Sequence, residues 1–377
     1  MNSRVKKCAK KTPLERGVLC FYTLIKPIMS DMVIEKLPEF DHHQSATFIH
    51  DSKSGLRGFI AVHRGSTERP SFGATRFWKY PSEMAALRDA LGLARTMSYK
   101  LAMAGLPYGG AKAVLMMPAH LNGRRSMLLK AYAERVNYLS GRFVTGTDVG
   151  LNQDDLAVMR RASKYMVGMK GNVTQSTAFG ILHGIKASLK EVFGSDDIAG
   201  RTFAIQGVGK IGGALVRLLY KESKRIVIAD TNRSQVSAII RVFPRVQAVR
   251  AADIYREKVD VFSPCAVSRS ITRKKAGEVA ARIVVGGANS QLEDRKAGDI
   301  LHRRGILYAP DYVVNAGGLI SVVDEYEHHD FDAKRVLRRV LRIRKNLENI
   351  FAAARRTRRP THMVADEFAE KYFNGNT

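Results

Sequence analysis

Between residues 202 and 308 apolar runs of strand length alternate with amphipathic stretches, and the first turn of that series carries glycines at 207, 209 and 212. The pattern predicts strand 202–206, helix 211–219, strand 225–230 and helix 233–242, then strands at 259–262, 283–285 and 306–308. Near-continuous apolar strands separated by helices are what a parallel sheet buried on both faces requires. The second half is therefore expected to be a doubly wound α/β sheet. Its late strands end in Pro264-Cys265-Ala266, Gly286-Gly287-Ala288-Asn289 and Pro310-Asp311, and the carboxyl ends of such strands form the ligand crevice.

The run Gly207-Val208-Gly209-Lys210-Ile211-Gly212 follows a predicted strand and opens a predicted helix. Glycines there permit a tight turn, let backbone N–H groups reach a pyrophosphate, and allow the helix to pack closely on the strand. Asp230 ends the next strand, ~20 residues on, where a carboxylate accepts hydrogen bonds from an adenosine ribose and repels a 2′-phosphate. NAD is the expected cofactor, with NADP kept open by the Arg233 guanidinium nearby in sequence.

At 377 residues the chain is too long for one hydrophobic core, so two domains with a cleft between them are expected. The first half reads as a strand pair at 46–50 and 58–63, helix 81–97, strand 113–117, helix 125–139, strand 143–145 and helix 174–193. The expected division is a basic extension at 1–31, an α/β substrate-binding and oligomerisation domain at 32–176, a Rossmann domain at 177–320, and C-terminal helices at 321–377 that pack back on the first domain. Lys100 and Lys112 flank what reads as a glycine turn, Gly109-Gly110-Ala111, and Asp148 ends a strand. Burial and a second cation both lower a lysine's pKa, so one such lysine can hold a carboxylate while the other works as a base. Singly, either lysine reads as a surface charge and Asp148 as a loop cap. Their joint spacing carries the catalytic reading.

The formal charge of +27 is densest from Lys334 to Arg359. Val336, Leu337, Val340, Leu341, Ile343 and Leu347 supply an apolar stripe there, so an ordinary amphipathic helix is expected, with nucleic acid kept as an alternative partner. No apolar stretch is long enough to span a bilayer. Cys8, Cys20 and Cys265 have no metal-ligand spacing, so no metal site and a reducing, cytoplasmic setting are expected. The basic segment 1–31 reads as a disordered tail, or as sequence upstream of a start at Met29 or Met32.

Several segments carry a family likeness. Met97-Ser98-Tyr99-Lys100, Ala104-Gly105-Leu106 and Gly109-Gly110-Ala111-Lys112-Ala113-Val114 resemble the active-site segment of the glutamate/leucine/phenylalanine/valine dehydrogenases, nearest the leucine/phenylalanine branch. Residues 141–150 are similar to that family's aspartate loop, and 264–266, 288–292 and 309–318 continue the match, collinear over 40–351.

The resemblance implies roles. Lys100 would hold the substrate α-carboxylate, Lys112 would activate water and assist at the α-carbon, and Asp148 would shuttle protons to the amino group. The Gly73 backbone would touch substrate, with Asn289 or Ser290 near the reacting centre. The NAD site would draw on Thr177, Gly207, Gly209, Lys210, Ile211, Gly212, Asp230, Cys265, Ala266, Asn289 and Asn315. The implied reaction converts an L-amino acid, NAD and water into a 2-oxo acid, ammonium and NADH, in a homo-oligomer.

Phe72 stands where glutamate-specific members place a lysine, so an apolar amino acid is expected. Gly146, Leu319 and Val322 complete the implied side-chain pocket and tilt the reading slightly toward a bulky or aromatic substrate over leucine or valine. A tryptophan-type dehydrogenase and a catalytically silent NAD-binding homologue with a polyanion-binding surface are the alternatives. Ala74 and Ala111 depart from the family's usual glycines, and Ser290 from its asparagine.

Overall fold

The computed structural model describes residues 34–65, 68–121 and 123–374; the basic segment read at 1–31, with Cys8 and Cys20, lies outside them. Strands β1 (Ser45–Asp51) and β2 (Leu56–Arg64) pair antiparallel, from Ser45↔Val62 to Asp51↔Leu56. Their turn closes on Asp51 Oδ2, which accepts from the Ser54 amide at 2.9 Å and its hydroxyl at 2.6 Å. Strands β3 (Ser71–Trp78), β4 (Gly109–Met116) and β5 (Phe143–Thr147) complete a five-stranded sheet, order β1-β2-β4-β3-β5, with β3 parallel to both its neighbours.

Strand alternation turns Ala61 and Val114 toward helix α1 (Glu83–Met103), and Ile60 and Leu115 toward helices α2 (Arg125–Asn137) and α3 (Gln153–Ala162). The Ser82 side chain caps α1 by accepting from the Ala85 amide at 3.2 Å. The helix runs to Met103, past the expected end at 97, and so carries Lys100 on its last turn. Tyr99, Leu101, Ala102 and Met103 are all buried there and join the core of the second sheet. A turn buried all round, its lysine included, has no stripe for periodicity to detect.

Two readings of this half need correction. Residues 109–112 are not a turn but the start of β4. A Cβ on Gly109 would stand 1.7 Å from the Arg64 carbonyl oxygen, and one on Gly110 2.0 Å from the Ser98 nitrogen. The glycines serve close packing of strand on strand and strand on helix, not a reversal. β3 gave no strand signal, because Gly73 and Ala74 in its first half interrupt the alternation. It nevertheless lies inside the sheet, between β4 and β5.

Helix α4 (Val173–Phe193), capped by Asn172 and ended by Gly194 at φ +75°, leads to the second sheet. Strand β6 (Thr202–Gln206), helix α5 (Lys210–Leu219), β7 (Arg225–Ala229), α6 (Arg233–Val242), β8 (Gln247–Ala248), β9 (Val261–Pro264), α7 (Arg273–Glu278), β10 (Ile283–Val284), α8 (Arg295–Arg303) and β11 (Leu307–Tyr308) follow. The strands form one sheet, order β11-β10-β9-β6-β7-β8, with every pair parallel. Phe203 and Ile205 of β6 enter one core and Ala204 the other, as expected of a strand covered on both faces. The order reverses between β6 and β9, the switch point where such sheets hold ligands.

Helices α9 (Asp311–Val314), α10 (Gly317–His328), α11 (Ala333–Val340), α12 (Arg342–Thr357) and α13 (Thr361–Asn374) return to the first sheet. The Tyr99 hydroxyl donates to Glu370 at 2.9 Å and Asn346 donates to the Met103 carbonyl. Among the expected stripe, Val336, Val340, Ile343 and Leu347 are buried, but Leu337 and Leu341 are 38% and 44% exposed. The helix is interrupted at Leu341, between α11 and α12, and the expected stripe is not buried along its whole length. Some of the positive charge here is paired: Arg335 with fully buried Asp324 at 2.6 Å, and, nearer the surface, Arg339 with Glu327 at 2.7 Å and Arg344 with Asp196 at 2.7 Å.

Candidate active site

Parallel pairing of β3 with β4 and β5 sets Thr75 level with both Ala113 and Thr147, so Lys112, midway along β4, comes near the residue just after β5, Asp148. The Asp148 amide donates to the Thr75 carbonyl at 2.9 Å, which holds the loop against β3. Lys112, 5% exposed, donates from Nζ to Asp148 Oδ2 at 2.6 Å. Burial by itself raises the Asp148 carboxyl, but the Lys112 and Arg76 cations override it and hold the group well below the usual carboxylate range.

Lys100, 8% exposed, donates to Asn289 Oδ1 at 3.1 Å. That contact joins the last turn of α1 to the loop after β10 and places both lysines in the gap between the sheets. Burial pushes the Lys100 ammonium down to about 8, against the pull of the Asp311 carboxylate and with help from the Lys112 charge. Asp311 is itself raised by burial, opposed by the Gln291 amide, which donates to it at 2.5 Å. Both lysines are thus buried.

Gly73 is needed as glycine, since a Cβ there would lie 2.0 Å from the Ala111 carbonyl oxygen. Phe72 is fully buried, its ring edge-on to Tyr108 at 4.7 Å and to Tyr326 at 5.1 Å. No cation faces it in these contacts. Gly146 lies against the Val167 carbonyl and Val322 beside Gly168, with Leu319 half-buried on the same helix α10. The four implied pocket residues therefore come from β3, β5 and α10. Ser290 adopts φ +46° and its carbonyl accepts from the Arg269 amide at 2.7 Å.

On the second sheet Gly207 has φ +87°, and a Cβ on Gly212 would stand 1.9 Å from the Gly207 carbonyl oxygen. Gly209 is the N-cap of α5 with no side chain covering it, so the amides of Lys210 and Ile211 begin an uncapped helix N-terminus. Such amides are ready partners for phosphate oxygens. Asp230 also braces the loop, accepting from the Val208 amide at 2.8 Å and the Asn232 amide at 2.8 Å. Cys265 and Ala266 follow β9 directly and pack against Gly207 and Gly212. Asn315 Nδ2 donates to Asn289 Oδ1 at 3.0 Å while its buried Oδ1 has no partner. An orphaned acceptor there suits a carboxamide N–H of a nicotinamide. Thr177, 7% exposed, donates its hydroxyl to the Val173 carbonyl at 2.7 Å and keeps its own acceptor capacity. The donor set fits a dinucleotide.

Two residues of the region escaped the sequence reading. Arg76 on β3 reaches Asp148 Oδ2 with Nε at 3.3 Å and Asp89 Oδ2 with Nη1 at 2.9 Å. Glu325 on α10 accepts from the amides of Gly168, Met169, Lys170 and Gly171 at 3.1–3.3 Å, fixing the segment that enters α4. Because β3 shows no strand signal in the sequence, nothing there marks out Arg76. Nothing local marks the second. Among the described residues no three His, Cys, Asp or Glu side chains cluster to hold a metal, and no helix is long and apolar enough to cross a membrane.

A mixed sheet with buried lysines facing a parallel sheet with a glycine-rich turn defines a two-domain amino acid dehydrogenase architecture. Residues 43–165 match the model for the Glu/Leu/Phe/Val dehydrogenase dimerisation domain, and 228–366 that for the Glutamate/Leucine/Phenylalanine/Valine dehydrogenase domain. The chain is 37% identical to leucine dehydrogenase of Geobacillus stearothermophilus, over 90% of this chain and 93% of that one. It is 38% identical to valine dehydrogenase of Streptomyces coelicolor, over 87% and 92%. Among solved structures it superposes on L-tryptophan dehydrogenase from Nostoc punctiforme with TM-score 0.75 and 34% identity, covering 89% and 96%. The chain belongs to the Glu/Leu/Phe/Val dehydrogenase family.

Proposed function

We propose that the chain catalyses reversible, NAD-dependent oxidative deamination of an apolar L-amino acid of the leucine, valine and phenylalanine class. The observation that carries this is the buried Lys112–Asp148 pair at 2.6 Å, with buried Lys100 beside it in the gap facing the second sheet.

Lys100 holds the substrate α-carboxylate, exchanging its Asn289 contact for a charged one. Asp148 takes a proton from the substrate ammonium, leaving a free amine whose lone pair drives departure of the α-hydride. Bound at the second sheet, the nicotinamide supplies the hydride acceptor. Lys112, once deprotonated, draws a proton from water as that water adds to the imine carbon. Asp148 then returns its proton to nitrogen, the C–N bond breaks as the carbinolamine hydroxyl gives its proton to the departing ammonia, and ammonium and the 2-oxo acid leave; Lys112 passes its proton to water to reset. Exclusion of bulk water by the two sheets keeps these charges interacting strongly.

The substrate class rests on Phe72, whose burial against Tyr108 and Tyr326 offers a side-chain carboxylate no partner, and on the apolar Leu319 and Val322 opposite. NAD over NADP rests on Asp230. We further propose a domain division near Thr177, with 321–377 returning to the first domain, supported by the Tyr99–Glu370 contact. A homo-oligomer formed through the first domain is supported by the dimerisation-domain match, and we propose a cytoplasmic setting.

The test is a spectrophotometric panel of L-amino acids, tryptophan and glutamate included, with NAD or NADP. Reduction of NAD with leucine, valine or phenylalanine is expected. Activity confined to glutamate, or none with any amino acid, would overturn the reading.

A further inference from the structure

We infer that Arg76 is a positioning residue for the catalytic carboxylate: with Asp89 and Tyr80 it forms a bracket that fixes which oxygen of Asp148 faces the lysine and which is left for the substrate amino group. The inference rests on the dehydrogenase reading. Lys112 Nζ and Arg76 Nε both converge on Oδ2 of Asp148, at 2.6 and 3.3 Å. Among the described residues no side chain donates to Oδ1; besides these two side chains only the Val149 backbone amide bonds the carboxylate, from the loop that carries Asp148 itself. A carboxylate held by one lysine can rotate about that contact; a second donor, on a different strand, removes the freedom.

The bracket is itself anchored. Arg76 Nη1 donates to Asp89 Oδ2 at 2.9 Å, and the Tyr80 hydroxyl donates to the same oxygen at 2.5 Å. Asp89 lies on α1 and Arg76 on β3, so the bracket ties Asp148 to the helix that carries Lys100. The side chains of Arg76 and Asp148 are 15% and 14% exposed, dry enough for the ion pair to hold a fixed geometry. A planar guanidinium can serve Asp89 and Asp148 at once; a lysine's point charge cannot be shared that way.

Arg76 also lines a cavity of about 650 Å³ in the gap between the sheets, with Asp89, Arg269 and Ser290. That opening makes an exacting experiment available. In R76A, kcat for deamination is expected to fall on the order of 100-fold with the substrate KM changed less than threefold. Because proton transfer rather than hydride transfer is misaligned, the solvent deuterium isotope effect on kcat rises and the α-deuterium effect falls toward one. Guanidinium chloride at low millimolar concentration restores part of kcat through the cavity, and R76K remains well below the parent. NADH binding and the thermal midpoint verify the fold of each variant. If R76A stays within twofold of the parent, or loses activity with both isotope effects unchanged and no rescue by guanidinium, the bracket is not what orients Asp148. A parent enzyme inactive on every amino acid would instead refute the dehydrogenase reading.

Discussion

The five-stranded sheet builds its half of the site from buried charge, whereas the six-stranded sheet builds its half from backbone. On the first, Lys100, Lys112 and Asp148 are withdrawn from water and compensate one another and Arg76. On the second, a positive-φ glycine, an uncapped helix N-terminus and loops at the strand ends face the gap, with few ionised side chains among them. The first half should therefore respond to changes of charge that leave volume alone. The second should respond to a single added methyl.

The largest expected effect is Lys112→Met, which keeps the length of the side chain and removes its charge and its proton. A general acid–base group contributes roughly 10²–10⁴ in rate, so kcat is expected to drop by about that factor while NADH binding, read by fluorescence titration, stays within twofold. Loss of NADH affinity on the same scale would erase the division of labour between the sheets.

Next come two glycine changes on the other side of the gap. A methyl on Gly212 would meet the Gly207 carbonyl oxygen at 1.9 Å, whereas one on Gly209 has only Gln235 Oε1, at 3.8 Å. Overpacking of that kind costs about 1–3 kcal/mol, so Gly212→Ala is expected to weaken dinucleotide binding on the order of 10- to 100-fold. Gly209→Ala should hold NADH within about threefold on packing grounds. Equal losses would mean that ligand approach, not helix–strand packing, governs both positions.

A smaller effect belongs to Lys100. Its pKa is lowered to about 8 by burial, so the ammonium proposed to hold the carboxylate is present below that pH and lost above it. The Ki of the 2-oxo acid, as an inhibitor of deamination, should be flat below pH 7.5 and rise toward ~10-fold per unit once the lysine has titrated. Asp311, Lys112 and Asp148 all act on this group, and the bound carboxylate pulls the midpoint upward. A Ki independent of pH from 7 to 10 would show that Lys100 does not hold the anion.

The same contrast explains what the sequence could tell. Each strand of the second sheet except β8 was visible as an apolar run, because burial on both faces forces that composition, and the glycines at 207, 209 and 212 announce the turn. The first sheet hides its central members: β3 breaks alternation at Gly73 and Ala74, and Gly109 and Gly110 in β4 read as a turn although they serve strand packing. Lys112 and Asp148 were legible through family likeness, and the structure pairs them. The Lys100–Asn289 contact crosses 189 positions of sequence, and Arg76 meets Asp148, 72 positions on, only when β5 lies beside β3. Distance in the chain, not weakness of the chemistry, concealed both.

Asp230 is where the two kinds of site meet, an ionised side chain on the backbone-built half, and it carries the smallest of these effects. Both its oxygens already accept loop amides, from Val208 and Asn232, so its negative charge braces the glycine turn whether or not a ribose is present. Asp230→Asn keeps an acceptor for one amide, turns a donor toward the other, and removes the repulsion of a 2′-phosphate. For a partly exposed charge the change is worth about 1 kcal/mol, so the NADP to NAD ratio of kcat/KM is expected to rise about fivefold, with a modest fall in thermal midpoint. If the midpoint falls and the ratio does not move, the carboxylate acts only as a loop brace, and discrimination between the two dinucleotides must come from another group at that corner, with Arg233 the first to substitute.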